Sequence, residues 1–153
     1  MIPAAKKHTG RTALYFEDDP DVVAGISLMI KGKLGFEVEV VQTPSSAKAE
    51  IGGARKFDLL ILDIRIQHNE SLEPGQDNGA WTRFGHEFLR QLRAGELGGT
   101  NAKVPVLILT GVVNTEDVDS FLRTGGADGC RCQYLAKPAS FMAIEKKIDE
   151  LLA

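Results

Sequence analysis

Two runs, LLIL (59–62) and VPVLIL (104–109), are apolar at essentially every position. A strand that alternates apolar and polar residues covers a core with one face only, whereas a strand apolar throughout is buried on both faces. Two such runs demand layers on either side of a sheet, and that requirement constrains the rest of the chain.

Three further short β-rich runs, Ala13 to Phe16, Phe36 to Val41 and Cys132 to Ala136, alternate with segments of helical spacing. The first such segment, Asp21 to Lys31, aligns Val22, Val23, Ile26, Met29 and Ile30, opens at Pro20-Asp21 and is expected to close at Gly32. The second follows Pro44, with Ser45 and Ser46 as cap candidates. The third runs from about Gly85 to Ala94, the fourth from Thr115 to Thr124, and the last from Ser140 to Leu152 with Phe141, Ile144, Ile148, Leu151 and Leu152 at helical spacing. Strand and helix alternating five times predict an α/β fold, a parallel sheet covered by helices on both faces. The 153 residues suit one domain, with 1–12 as an N-terminal tail. The stretch 66–84 has neither period, carries Pro74, Gly75 and Gly79, and reads as a long loop insertion.

Composition excludes several function classes. The net charge of −3 gives no basic footprint, so nucleic acid is not an expected partner. No apolar run reaches the roughly 18 residues of a membrane span and no signal-peptide core opens the chain, so a cytoplasmic protein with no membrane partner is expected. Cys130 and Cys132 form one C-x-C pair without a second, which favours reduced thiols over a metal site. His8, His68 and His86 share no metal-ligand spacing and read as surface or loop residues.

Ligands of an open parallel sheet bind outside the carboxyl ends of its strands. The residues falling there are Glu17 and Asp18 after the first run, Asp63 after the third, Thr110 after the fourth, and Lys137-Pro138 after the fifth. Oxygen ligands without His or Cys select a hard cation such as Mg2+. A cation, an ammonium and a hydroxyl together suit a phosphoryl group, with a carboxylate as nucleophile. Asp19 and Asp21 fit the turn and the helix start, where carboxylates favour the dipole.

In order and position, FEDDPDV, LLILDI, LILTG and YLAKP resemble the receiver domain of two-component response regulators, over roughly residues 12 to 152. The resemblance implies a flavodoxin-like, doubly wound five-stranded sheet in strand order 2-1-3-4-5. It implies Asp63 as phosphoacceptor and Mg2+ held by Asp63, Asp18, Glu17 through a water, and the main-chain carbonyl of Arg65. Thr110 would bond the phosphoryl oxygen, Lys137 would pair with phosphate or carboxylate, and Tyr134 would be the switch aromatic. Gly111 matches the small residue after the threonine, and Lys137-Pro138 resembles a cis-peptide site. The implied partners are a histidine kinase or histidine phosphotransfer protein and a downstream protein met through the face of the fourth helix, fifth strand and fifth helix. No output domain is expected, nor turnover beyond slow self-phosphorylation and autodephosphorylation. Three features depart from the family pattern: the long segment after Asp63, open to roles as lid, partner surface or homodimer arm; Arg65 two positions after the acceptor; and CRCQ before Tyr134. Two other readings stand beside this one. The first is a docking or dimerisation module that works without phosphorylation. The second is a Mg2+-dependent phosphohydrolase with an aspartyl nucleophile.

Overall fold

The structure is a computed structural model and describes residues 6–17, 20–63, 79–110 and 115–153. Five strands, β1 (Thr12–Phe16), β2 (Glu37–Val41), β3 (Leu59–Asp63), β4 (Val106–Thr110) and β5 (Cys132–Ala136), form one parallel sheet in the order β2-β1-β3-β4-β5. The helices are α1 (Pro20–Met29), α2 (Pro44–Ile51), α3 (Gly79–Arg93), α4 (Thr115–Gly125) and α5 (Phe141–Leu151). The expected fold class and strand order are both observed. Among the described residues no helix is long and apolar enough to cross a membrane.

The continuously apolar strands lie where two-sided burial demands. β3 is buried at all five positions and β1 at four, while the edge strands β2 and β5 are largely half-exposed. Side chains alternate across the sheet. One set, Leu14, Phe16, Leu60, Leu62, Val106 and Ile108, packs with Phe88, Leu89 and Leu92 of α3, Phe121 of α4 and Ile51 of α2. The other, Ala13, Tyr15, Leu59, Ile61, Leu107 and Leu109, packs with Met29 of α1 and with Ile144, Ile148 and Leu151 of α5.

Helix ends differ from the sequence expectation for local reasons. The first helix passes Gly32 through a π-helical turn, Ile30–Leu34, and stops at Gly35, whose φ of 90° lets its N–H return to Lys31 O at 3.2 Å. Thr43, rather than Ser45 or Ser46, caps α2: its hydroxyl accepts Ser46 N at 3.2 Å while Ser46 Oγ accepts Thr43 N at 3.3 Å. α3 begins at Gly79, six residues ahead of Gly85. The glycines Gly79 and Gly85 obscure this start in the sequence. Residues 66–78 of the expected insertion lie outside the described residues. Ser140 caps α5 by accepting Ala143 N, and Phe141, though at helical spacing with the buried Ile144, Ile148 and Leu151, is about half exposed.

His8 is buried, contrary to its surface reading. Its ring lies on Phe36 and its Nε2 sits 2.9 Å from Asp149 Oδ1. Arg11 Nη1 can only donate to Nδ1, at 3.0 Å, so Nδ1 accepts and Nε2–H donates to Asp149. With Lys7 bridging Glu145 and Asp149, this contact fastens the segment before β1 to α5.

Candidate functional site

The register of the sheet determines which strand-end residues meet. Phe16 pairs with Leu62, so the next residues, Glu17 and Asp63, leave neighbouring strands side by side. Asp63 in turn pairs with Leu109, and Leu109 with Leu135, both of which pack on the α1 and α5 side of the sheet. Lys137 lies two residues beyond Leu135, one full alternation along the same face.

The side chains converge accordingly. Lys137 Nζ is 2.9 Å from Glu17 Oε2 and 2.7 Å from Asp63 Oδ2. The contact with Glu17 is a directed hydrogen bond, and that with Asp63 is an ion pair. Both carboxylates are 1% exposed, against 23% for the lysine.

Two buried carboxylates share one ammonium. Burial, reinforced by a hydrogen bond and like-charge repulsion from Glu17, pushes the Asp63 carboxyl up to about 8, and the opposing pull of Lys137 is the smaller influence. Burial also works against the Lys137 charge, but Asp63 and Glu17 together outweigh it and raise its pKa. With both carboxylates ionised, the site would hold one more negative charge than its lysine balances. Oxygen donors only, in excess of the available positive charge, fit a hard divalent cation.

Of the residues expected at this site, the structure brings together Glu17, Asp63 and Lys137. Thr110 ends β4 opposite Ala136, with its side chain outside the description. Asp18, Arg65 and Gly111 lie outside the described residues. Tyr134 pairs with Ile108 and is half-buried against the core shared with α2, α3 and α4, one position along β5 from Leu135. The Lys137–Pro138 peptide is cis, as expected. The motifs point Lys137 at a phosphate or a carboxylate but do not single out Glu17, because the strand register that brings β5 to it is not written in either motif.

An apolar groove of about 400 Å3 borders the site, between Val22 and Ile26 of α1 and Ala139 and Ile144 beyond Lys137-Pro138.

The sequence model of the response regulator receiver domain matches residues 13–149. No curated protein sequence gives a significant match. Among solved structures, a two-component response regulator from Clostridium difficile superposes with a TM-score of 0.68 at 18% identity, covering 93% of this chain and 95% of that one. The chemotaxis response regulator CheY4 of Vibrio cholerae gives 0.67 at 21%, covering 94% and 100%. The receiver domain of sensor histidine kinase PA1611 from Pseudomonas aeruginosa, with magnesium ion coordinated in its active-site cleft, gives 0.66 at 24%, covering 94% and 98%. These likenesses show the fold.

Proposed function

The chain belongs to the response regulator receiver domain family, and from that premise we propose that it accepts a phosphoryl group on Asp63 from a histidine kinase or histidine phosphotransfer protein and thereby switches a protein-binding face. The observation that carries this reading is the convergence of Glu17, Asp63 and Lys137 at the carboxyl edge of the sheet.

The chemistry follows from the geometry. An ionised Asp63 oxygen attacks the phosphorus of a phosphohistidine; the P–O bond forms as the P–N bond breaks, and the imidazole leaves with the electron pair and takes a proton. Asp63 must be ionised to attack, yet burial and Glu17 favour its protonated form. Mg2+ would be held by Asp18, Asp63, the main-chain carbonyl of Arg65 and, through a water, Glu17, and when bound would supply charge neutralisation for the carboxylates and the phosphoryl oxygens. Lys137 is positioned to follow negative charge from the carboxylate to the phosphoryl group. Glu17 holds the ammonium in place through its own hydrogen bond. Thr110 then draws toward the phosphoryl oxygen, Tyr134 follows, and the face of α4, β5 and α5 changes its population of shapes. The protein is the substrate of this transfer rather than a turnover catalyst.

Incubation with Mg2+ and acetyl phosphate, read by intact mass, tests the reading. A single phosphate adduct is expected on the wild type and none on Asp63→Ala; no adduct on the wild type, or an equal one on the variant, removes Asp63 as acceptor. Asp18→Ala is expected to abolish the adduct, whereas Asp19→Ala leaves it and alters stability alone.

A further inference from the structure

A cavity of about 560 Å3 opens at the end of the sheet opposite Asp63. Its walls come from residues directly preceding four strands: Arg11 before β1, Phe57-Asp58 before β3, Pro105 before β4 and Arg131 before β5. Amino ends of parallel strands are not where such sheets ordinarily bind ligands. The charge at this one is therefore informative.

Four cations, Arg11, Lys56, Lys103 and Arg131, line the cavity against one carboxylate, Asp58, in a chain whose net charge is −3. Asp58 is already engaged, its Oδ2 accepting Thr12 N at 2.9 Å. Among the described residues, none of the four cations pairs with a carboxylate side chain. Arg131 donates through Nη1 to Leu151 O and to Ala153 O, an oxygen of this chain's α-carboxylate, which orients the guanidinium while Nε and Nη2 stay uncommitted among the described residues. Arg11 spends Nη1 on His8 Nδ1.

The frame around these charges is fixed. Asn101, 2% exposed, accepts Phe57 N at 2.8 Å and donates to Ile51 O at 3.0 Å and Arg55 O at 2.9 Å, which joins the approach to β3 with the approach to β4. Apolar residues, among them Val104, Pro105 and Leu152, complete the lining. Like charges around one concavity repel, and an anion placed among them lowers that cost. The volume lies within the range of about 300–1,000 Å3 typical of small-molecule sites and far exceeds a lone phosphate. Guanidinium groups suit phosphate oxygens, which they meet in pairs of parallel hydrogen bonds. Apolar lining in the same cavity as cations suits a ligand with a flat, weakly polar body attached to its charge. We propose that this cavity binds a nucleoside phosphate, at a site separate from the phosphoacceptor.

Isothermal titration calorimetry of the full chain without Mg2+, using ADP, GDP and pyrophosphate as probes, tests the assignment. At least one nucleotide is expected to bind about tenfold or more tighter than pyrophosphate, since the apolar walls contribute only to the former. The double variant Lys56→Glu/Lys103→Glu, at two exposed positions, is expected to weaken nucleotide binding by about tenfold or more. Asp63→Asn is expected to leave it within about twofold, since additivity holds for distant sites. A milder Lys56→Gln/Lys103→Gln pair repeats the test should the charge reversal impair folding. The proposal is overturned by no heat with either nucleotide at millimolar concentration, by pyrophosphate binding as tightly as the nucleotides, by undiminished nucleotide affinity in either folded lysine variant, or by loss of binding in Asp63→Asn.

Discussion

Asp63 is held in a state that opposes its ionisation, and the sign of that effect can be worked out. Its carboxyl is pushed up to about 8 from an ordinary value of 3.8. Between those values the folded protein keeps a proton that the unfolded chain has released, so without a divalent cation stability falls as pH rises from about 4 to about 8. Asp63→Asn removes the ionisation, and urea unfolding at pH 7.5 without Mg2+ should find the variant more stable by on the order of 2 kcal/mol, the gap narrowing toward pH 4. A wild type more stable than the variant at pH 7.5 contradicts the burial account. Lys137→Met has the opposite effect, because it removes the cation beside buried Glu17 and, among the described residues, the only charge that favours ionisation of Asp63. The expected loss is about 2–4 kcal/mol at neutral pH. In the Asp63→Asn background the same substitution should cost less, with a coupling above about 0.5 kcal/mol in the double-mutant cycle. Strict additivity would mean that the two side chains do not act on each other.

At the scale of elements, the strands were legible because burial on both faces leaves a compositional trace: LLIL and VPVLIL have one plausible environment, and β3 and β4 occupy it. Helix limits were less legible because they depend on backbone conformation and on neighbours distant in sequence. Gly32 and Gly35 look alike in the chain, yet only Gly35 takes the left-handed conformation and ends the first helix. A Cβ there would lie 2.9 Å from Lys6 Cβ and 2.9 Å from Thr9 Oγ1, so the helix end and the segment before β1 both require the glycine. Gly10 has a similar φ of 88° but open space around it. The pair separates conformational strain from contact. Gly10→Ala should cost about 1 kcal/mol, the strain alone, and Gly35→Ala about 2–3 kcal/mol, strain plus steric displacement. Urea midpoints of the two variants measure the difference, and equal losses would show that the contact contributes nothing.

On the scale of the whole molecule, the sheet has two chemically distinct ends, and the sequence revealed only one of them. The carboxyl end was readable because Glu17 and Lys137 directly follow strands and Asp63 ends one, so locating the strands located these three side chains. The amino-end cavity was hidden because Arg11, Lys56, Lys103 and Arg131 come from four separate connections and the chain's net charge is −3. Electrostatic relief at the carboxyl end should also register in the stability of the whole fold, since both carboxylates are anchored on its central strands, β1 and β3. A cation that binds only the folded state stabilises it by mass action, about 2.7 kcal/mol at a hundredfold excess over Kd. For a domain of this length that corresponds to a Tm increase of roughly 5–11 °C. Mg2+ titration followed by thermal unfolding at pH 7.5 should show that rise in the wild type and little of it in Asp63→Asn or Glu17→Gln. Lys56→Glu/Lys103→Glu should keep the full rise, because its substitutions sit at the far end of the sheet. A Tm indifferent to Mg2+, or an equal rise in Asp63→Asn, would leave the two buried carboxylates without the cation that their shared burial calls for.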